Sequence, residues 1–236
     1  MKVIINIDDY GLSPSTNESI IALAKEHKIS STTILTTRSG NIHNEIASLR
    51  DNCPQIGCGV HLDLDSFFKF DENNVYGTNE HDIVANYEQI TNNNIDDITF
   101  ALHSQIQMVK STGIQITHVD SHHSIHQFPF LLPTVLSVMD LHGIKKMRFA
   151  NNFYRIDDSY NFVMQYLTAS GILSPDYFFA LPELMSNGNI LDCASGIIEI
   201  MAHTSLDDNS LGCVEQYNFL KDLDVSGFEL ITFGEL

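Results

Sequence analysis

A chain of 236 residues with 43% hydrophobic side chains can bury a sizeable core, and its formal net charge of −18 argues against nucleic acid and anionic membrane surfaces as partners. Four cysteines (Cys53, Cys58, Cys193, Cys213) show no C-x-x-C pair and no disulfide-scaffold density, which predicts reduced, mostly buried thiols. No apolar stretch approaches the roughly 20 residues that span a bilayer; the first apolar run, Val3–Ile7, is too short for a signal peptide and ends in two aspartates, so a cytoplasmic protein is expected.

In chain order, Lys2–Ile7 reads as a strand and Pro14–His27 as a helix with Ile20, Ile21, Leu23 and Ala24 on its apolar face. Ser13 before Pro14 predicts an N-cap with proline in the first turn, while Ser15-x-x-Glu18 offers a competing capping box. A strand near Thr32–Thr36, a helix over Ile42–Arg50 and a strand over Ile56–Leu62 follow. The polar, acidic stretch 63–82 reads as a loop excursion, either a plain surface feature or a lid beside a site. A helical pattern returns over Ile83–Ser111, interrupted near Asn92–Asn94; then come a strand at Gln115–Val119 and a helix from Pro129 to His142. Later strands are expected at Lys146–Ala150, Tyr177–Ala180, Gly196–Ala202 and Phe228–Phe233, with a helix around Asp158–Ser170. No linker rich in proline, glycine or serine divides the chain, so one domain over residues 1–236 is expected. Strand–helix alternation implies an α/β protein with a parallel sheet, and seven or eight such units favour a barrel over an open sheet. Barrel enzymes carry their chemistry at the carboxyl ends of the strands.

The polar motifs fall at those ends. Asp8-Asp9-Tyr10-Gly11 closes the first strand, Gly59-Val60-His61-Leu62 the third, and Arg148 and His203 close later ones. Each alone has an ordinary structural reading: a turn, a core histidine, a salt bridge, a strand cap. The densest motif is His118-Val119-Asp120-Ser121-His122-His123-Ser124-Ile125-His126, with four histidines and an aspartate in nine residues. Imidazoles and carboxylates at this density suit a first-row divalent cation or acid–base chemistry. One carboxylate and two imidazoles would leave positions on a cation for water and a substrate oxygen, polarising a carbonyl and acidifying the water. A second carboxylate could take the water's proton and a separate histidine could protonate the leaving group. Two adjacent aspartates cannot share one face of a regular strand, so the backbone is expected to turn at that strand end.

In order and spacing these motifs resemble the YdjC-like carbohydrate deacetylases, the family that includes chitooligosaccharide deacetylase. The resemblance rests on Asn6-Ile7-Asp8-Asp9-Tyr10-Gly11 with Leu12-Ser13 and Asn17, on Gly59–Leu62, on His118–His126 and on Met201-Ala202-His203-Thr204-Ser205, and runs from residue 2 to about 205. Two departures stand out: Ser124 where the family commonly has histidine, and Thr204-Ser205 where it has Pro-Gly. The resemblance implies an irregular (β/α) barrel of the glycoside hydrolase/deacetylase type. It implies hydrolytic removal of an acetyl group from an N-acetylated sugar, such as diacetylchitobiose, free or phosphorylated, with one divalent metal ion. By motif position, Asp9, His61 and His122 would ligate that ion. Asp8 would be the general base, His203 the leaving-group acid, and Arg148 would orient Asp8 and lower its pKa. His118, Asp120, His123 and His126 would orient the imidazoles or touch substrate. The family implies Mg2+, whereas an aspartate with two histidines suits Zn2+ or another transition metal by ligand preference. The implied partner is a small carbohydrate, with a homodimer as a family-level expectation. Two other readings stay open: a metal-dependent amide or ester hydrolase acting on a non-sugar substrate, and a non-catalytic sugar-binding protein. Phe67, Phe68, Phe70 and Tyr76 are the aromatics that would stack on a sugar.

Overall fold

Among the described residues all strand pairings are parallel, so each strand's return path has to cross the sheet, and helices lie on those crossovers. The computed structural model describes residues 1–67, 95–128, 130–149, 158–188, 191 and 196–236. Within them run β1 (Lys2–Tyr10), α1 (Pro14–Lys25), β2 (Ser31–Ile34), α2 (Ile42–Asn52), β3 (Gly57–Leu62), α3 (Ile95–Ser111) and β4 (Ile116–Ser121). A short 3-10 segment (His122–Gln127) then leads to α4 (Leu132–His142), α5 (Asp158–Ala169), β5 (Tyr177–Ala180), α6 (Leu181–Ser186), β6 (Ile197–Ala202), α7 (Cys213–Asp222) and β7 (Glu229–Leu230). The sheet order is β4-β3-β2-β1-β6-β5, with β7 against the first residues of β1.

Beyond β4 the pairing continues through single parallel bridges, Val119 to Met147 and Lys146 to Leu173. Arg148 therefore lies four strand steps from β1. In a flat sheet with strands about 4.8 Å apart that is about 19 Å, far beyond one side chain. Yet its Nη1 and Nη2 each donate to Asp8 on β1 at 2.7 Å, and its Nε to Glu199 on β6 at 2.7 Å. The sheet curls back on itself and encloses these groups, as in a barrel.

Alternation sorts the two faces. Val3, Ile5 and Ile7 of β1 join the main apolar core with Ile20 and Leu23 of α1 and Ile198 and Ile200 of β6. Ile4, Asn6 and Asp8 take the opposite, enclosed face, where Ile4 packs with Ile231 and Phe233 in a second small cluster. The enclosed face is apolar only at that end and becomes polar toward the carboxyl ends of the strands.

Several boundaries differ from the expectation. β1 runs on to Tyr10, because Asp8 and Asp9 stay within the sheet. Residues 146 and 147 make only isolated bridges rather than a strand, and only Glu229–Leu230 of the expected Phe228–Phe233 pairs. The fourth helix starts at Leu132, and Pro129, the Asn92–Asn94 interruption and most of the 63–82 excursion lie outside the described residues. Ser13 is the N-cap of α1, accepting from the Thr16 N–H at 3.1 Å, whereas Ser15 is engaged elsewhere. Cys53, Cys58 and Cys213 are free and buried; Cys193 is outside the described residues. No described helix is long and apolar enough to cross a membrane.

Gly59 shows how tightly the enclosed face is filled: a Cβ there would sit 2.5 Å from the His118 ring, which is stacked on Phe233 with centroids 3.7 Å apart. Gly59→Ala is expected to lower unfolding stability in urea by about 1–3 kcal/mol, the usual cost of overpacking a core that cannot yield.

Candidate active site

Asp8 and Asp9 share one site because β1 is bulged. Ile7 pairs with Thr32 and Tyr10 with Ile34, so three steps on β1 oppose two on β2. Asp9 takes the extra position with φ +69°, a left-handed conformation that aspartate tolerates better than most residues. Asp8 keeps its place on the enclosed face, and Asp9 turns toward the strand ends. The next residues hold the turn: Gly11 has φ +105°, a Cβ there would meet the Leu35 carbonyl at 2.6 Å, and its N–H donates to Asn17 Oδ1 at 2.7 Å.

Asp9 is 5% exposed and meets three imidazoles. His61 Nε2 is 3.2 Å and His122 Nδ1 is 3.3 Å from its Oδ1, and His203 Nε2 is 3.7 Å from its Oδ2. Asp9 Oδ1 and His61 Nε2 are buried and, despite their proximity, are not aligned for a hydrogen bond with any partner among the described residues. Orphaned acceptors facing each other at this depth are what a cation between them would satisfy. The other side of the His61 ring agrees. Its Nδ1–H donates to Asp120 Oδ1 at 2.7 Å, and Thr33 Oγ1 and Arg148 Nη1 steady the second Asp120 oxygen at 3.1 and 2.9 Å. A carboxylate on Nδ1 fixes the tautomer whose Nε2 lone pair is free for a metal. One donor atom from each of Asp9, His61 and His122 lies within 4.8 Å of the others. Asp8, His61 and Asp120 form another such group, but Arg148 already takes both oxygens of Asp8 and one of Asp120, and His61 Nδ1 takes the other. The donor set thus fits a divalent cation held by Asp9, His61 and His122.

Electrostatics point the same way. Burial opposes the charge of Asp9, yet His122 and His61 hold its carboxyl well below the usual range. Burial likewise opposes a charged His61, and Asp120 and Asp9 outweigh it, raising the imidazole well above its ordinary value. Asp8 is brought down to about 2, its burial overcome by the charge and hydrogen bonds of Arg148. Arg148, 2% exposed, also carries Glu199 on its Nε. There burial wins, and Glu199 is pushed up to about 7 despite the guanidinium. Sequence reasoning missed Glu199. The signal was a lone carboxylate in the otherwise uncharged strand Ile197-Ile-Glu-Ile-Met-Ala202.

The histidine motif divides into separate tasks. Asp120 orients His61, and His122 reaches Asp9. His118 points instead to Gly59, Phe233 and Thr117, and burial and Arg148 keep its imidazole well below the ordinary range. His126 is a clamp: its Nε2–H donates to the Arg148 carbonyl at 2.8 Å and Ser121 Oγ–H donates to its Nδ1 at 2.5 Å. His123 and Ser124 adopt positive φ (56° and 54°), and His123 Nε2 lies 3.6 Å from Asp65. His203, on the loop after β6, has its N–H bound to Gln216 Oε1 at 3.1 Å. The Thr204-Ser205 departure ties that loop to α1, through Thr204 to Ser19 at 2.7 Å and Ser205 to Ser15 at 2.9 Å. Phe67 packs against the core; Phe68, Phe70 and Tyr76 are outside the described residues.

Fold and site together define an α/β protein with a buried Asp–His–His group at the carboxyl ends of a curled parallel sheet. The chain belongs to the YdjC-like protein family, whose profile it matches over residues 2–226. It is 24% identical over 241 residues to a carbohydrate deacetylase of Vibrio campbellii, covering 95% of this chain and 86% of that protein. It is 25% identical over 243 residues to one of Clostridium beijerinckii, covering 99% and 94%. A chitooligosaccharide deacetylase of Escherichia fergusonii is 30% identical over 147 residues, 60% of this chain and 57% of that protein. Among solved structures, a protein of Enterococcus faecalis assigned to cellobiose-phosphate cleavage superposes with a TM-score of 0.73 at 20% identity, covering 99% of this chain and 98% of that one. A lactam utilization protein of Thermus thermophilus does so at 0.59 and 11%, covering 98% and 100%. These two likenesses concern the fold.

If Asp120 aligns His61, Asp120→Asn should weaken Zn2+ binding by about 10- to 100-fold in titration calorimetry, His61→Ala should weaken it further, and His118→Asn should leave it within about twofold. His126 gives a pH test. Its pKa falls to about 3 in the folded protein, burial being the main cause. The unfolded chain, near 6.5, gains that proton first on acidification, so the stability held above about pH 6.5 is lost as pH falls. Between about pH 6.5 and pH 5 the loss is about 2 kcal/mol, and His126→Asn should lose that much less over the same interval in urea unfolding.

Proposed function

We propose that this protein is a metal-dependent carbohydrate deacetylase that removes the acetyl group from an N-acetylated sugar, a short chitooligosaccharide such as diacetylchitobiose. The observation that carries the reading is the pair of orphaned buried atoms, Asp9 Oδ1 and His61 Nε2, beside a carboxylate gripped through both oxygens by Arg148. Membership of the family and the names borne by its members support the sugar acetyl group as the substrate.

Asp9, His61 and His122 would hold a divalent cation, which supplies Lewis-acid polarisation of the amide carbonyl and an acidified water. A carboxylate with two imidazoles suits Zn2+ or another transition metal better than Mg2+, which prefers oxygen ligands. Asp8 receives the proton of the attacking water. Arg148 trades basicity for aim there: a carboxyl held at about 2 is a weak base, but one fixed in direction. His203, 18% exposed at its side chain, donates a proton to the departing nitrogen. The C–N bond breaks, and acetate and a free amino sugar leave.

Metal-loaded protein is expected to release acetate from N-acetylglucosamine oligomers of one to four units, and a chelator should abolish it. Asp8→Asn should retain metal binding while kcat falls roughly 100- to 10,000-fold, the usual worth of a general base. No acetate from any such sugar at saturating metal would sink the substrate class; an unchanged kcat in Asp8→Asn would remove Asp8 from the base role. Release from simple amides or esters in place of the sugars would favour the non-sugar hydrolase instead.

A further inference from the structure

Glu199 is the one carboxylate of the buried cluster to which the proposed reaction gives no task. It sits mid-strand in β6, paired to Ile4 of β1 on one side and Phe178 of β5 on the other, so its backbone is held from both flanks. It is fully buried, with one hydrogen-bond partner among the described residues: Oε1 accepts from Arg148 Nε at 2.7 Å, while Oε2 has none there. A half-satisfied buried acid is a poor device for stability. Ion pairs of this kind are often matched or bettered by apolar residues of similar size.

The donors of Arg148 suggest what it does instead. Nη2 is committed to Asp8 Oδ1 at 2.7 Å. Nη1 donates to Asp8 Oδ2 at 2.7 Å and also lies 2.9 Å from Asp120 Oδ2. The guanidinium is a rigid planar fork, so its orientation is fixed once a third point is fixed. The Nε bond to Glu199 is that point, and Phe178 lies under the plane with its ring centre 5.4 Å from Arg148 Cζ. Released at Nε, the fork is free to pivot toward Asp120 and give up the two-oxygen contact with Asp8.

We propose that Glu199 is a positioning residue for Asp8, acting through Arg148: its Oε1 holds Nε so that both terminal nitrogens are aimed at the Asp8 carboxylate. The inference rests on the reading that Asp8 acts in acetate release. Glu199→Met removes the acceptor at nearly constant length, and Glu199→Gln keeps an acceptor at Oε1 without the charge. In metal-loaded enzyme, Glu199→Met should lower kcat by at least about tenfold with KM and metal affinity within about twofold, and Glu199→Gln should recover most of that loss. Independently of turnover, nitrogen-15 NMR should show a slowly exchanging Arg148 Nε–H, assigned by its absence in Arg148→Lys, that persists in Glu199→Gln and is lost in Glu199→Met.

Wild-type kcat in Glu199→Met overturns the proposal. So does a Glu199→Gln variant no better than Glu199→Met, or a loss shared equally by kcat and metal affinity. If Glu199→Met does not fold, Glu199→Gln decides alone: loss of the Nε–H signal, or a kcat below about a tenth of wild type, overturns it. A wild-type enzyme without acetate release would count against the deacetylase reading, and the NMR comparison would still test the grip on Arg148.

Discussion

One buried cation organises this molecule. Arg148 is 2% exposed, and its guanidinium is shared among Asp8, Asp120 and Glu199, carried by three different strands. Removing ions from water costs several kcal/mol each, and only dense, well-directed hydrogen bonding offsets it. The fold provides that density by curling the sheet until a residue four strand steps from β1 meets it at 2.7 Å. Every other polar feature follows from this centre. Asp120 is steadied by Arg148 and in turn steadies His61; His126 holds the Arg148 carbonyl; His118, kept neutral beside the guanidinium, fills the floor with Phe233.

Two local departures from regular backbone decide which groups meet at the centre. The bulge in β1 lets consecutive aspartates serve different neighbours, Asp8 the guanidinium and Asp9 the imidazoles. The positive φ of Asp9 carries a cost of about 1–3 kcal/mol that persists only where surroundings enforce it. Here the Gly11 turn and the Asn17 hydrogen bond enforce it, which explains why those residues belong to the same sequence motif. The second pair of positive φ angles, at His123 and Ser124, turns the chain sharply after His122, leaving His122 on Asp9 while His126 folds back on Ser121.

Much of this was legible in the residues. Strand–helix alternation identified the parallel α/β class, and the motifs fell at strand ends because turns and polar groups there interrupt apolar runs. Asp9, His61 and His122 are brought together as their motif positions implied. What was not legible came from long-range contact. Nothing local distinguishes His118 from His122, yet one lies against a phenylalanine ring and the other against a carboxylate, a difference set by how far toward the strand end each residue falls and by Gly59 on the neighbouring strand. Glu199 was hidden because a single carboxylate in an apolar strand carries no motif until its partner, 51 positions away, is known. At the Thr204-Ser205 departure two hydroxyl bonds tie the loop to α1, and the His203 N–H is held by Gln216, contacts that no local pattern announces.

The charge of the cluster also suits a divalent cation beside it. Asp8, Asp120 and Glu199 surround one guanidinium with Asp9 beside them on the imidazoles, and the cluster sheds charge where it can: Glu199 is pushed up to about 7, and His61 is drawn toward its protonated form by Asp120 and Asp9. A proton on His61 Nε2 and a divalent ion beside Asp9 compete for the same lone pairs, because a coordinating imidazole has to be neutral. The Nδ1 proton is not part of that competition; Asp120 holds it in either state. One side of the His61 ring thus faces the candidate metal group, while the other is held in the Asp120–Arg148–Asp8 frame.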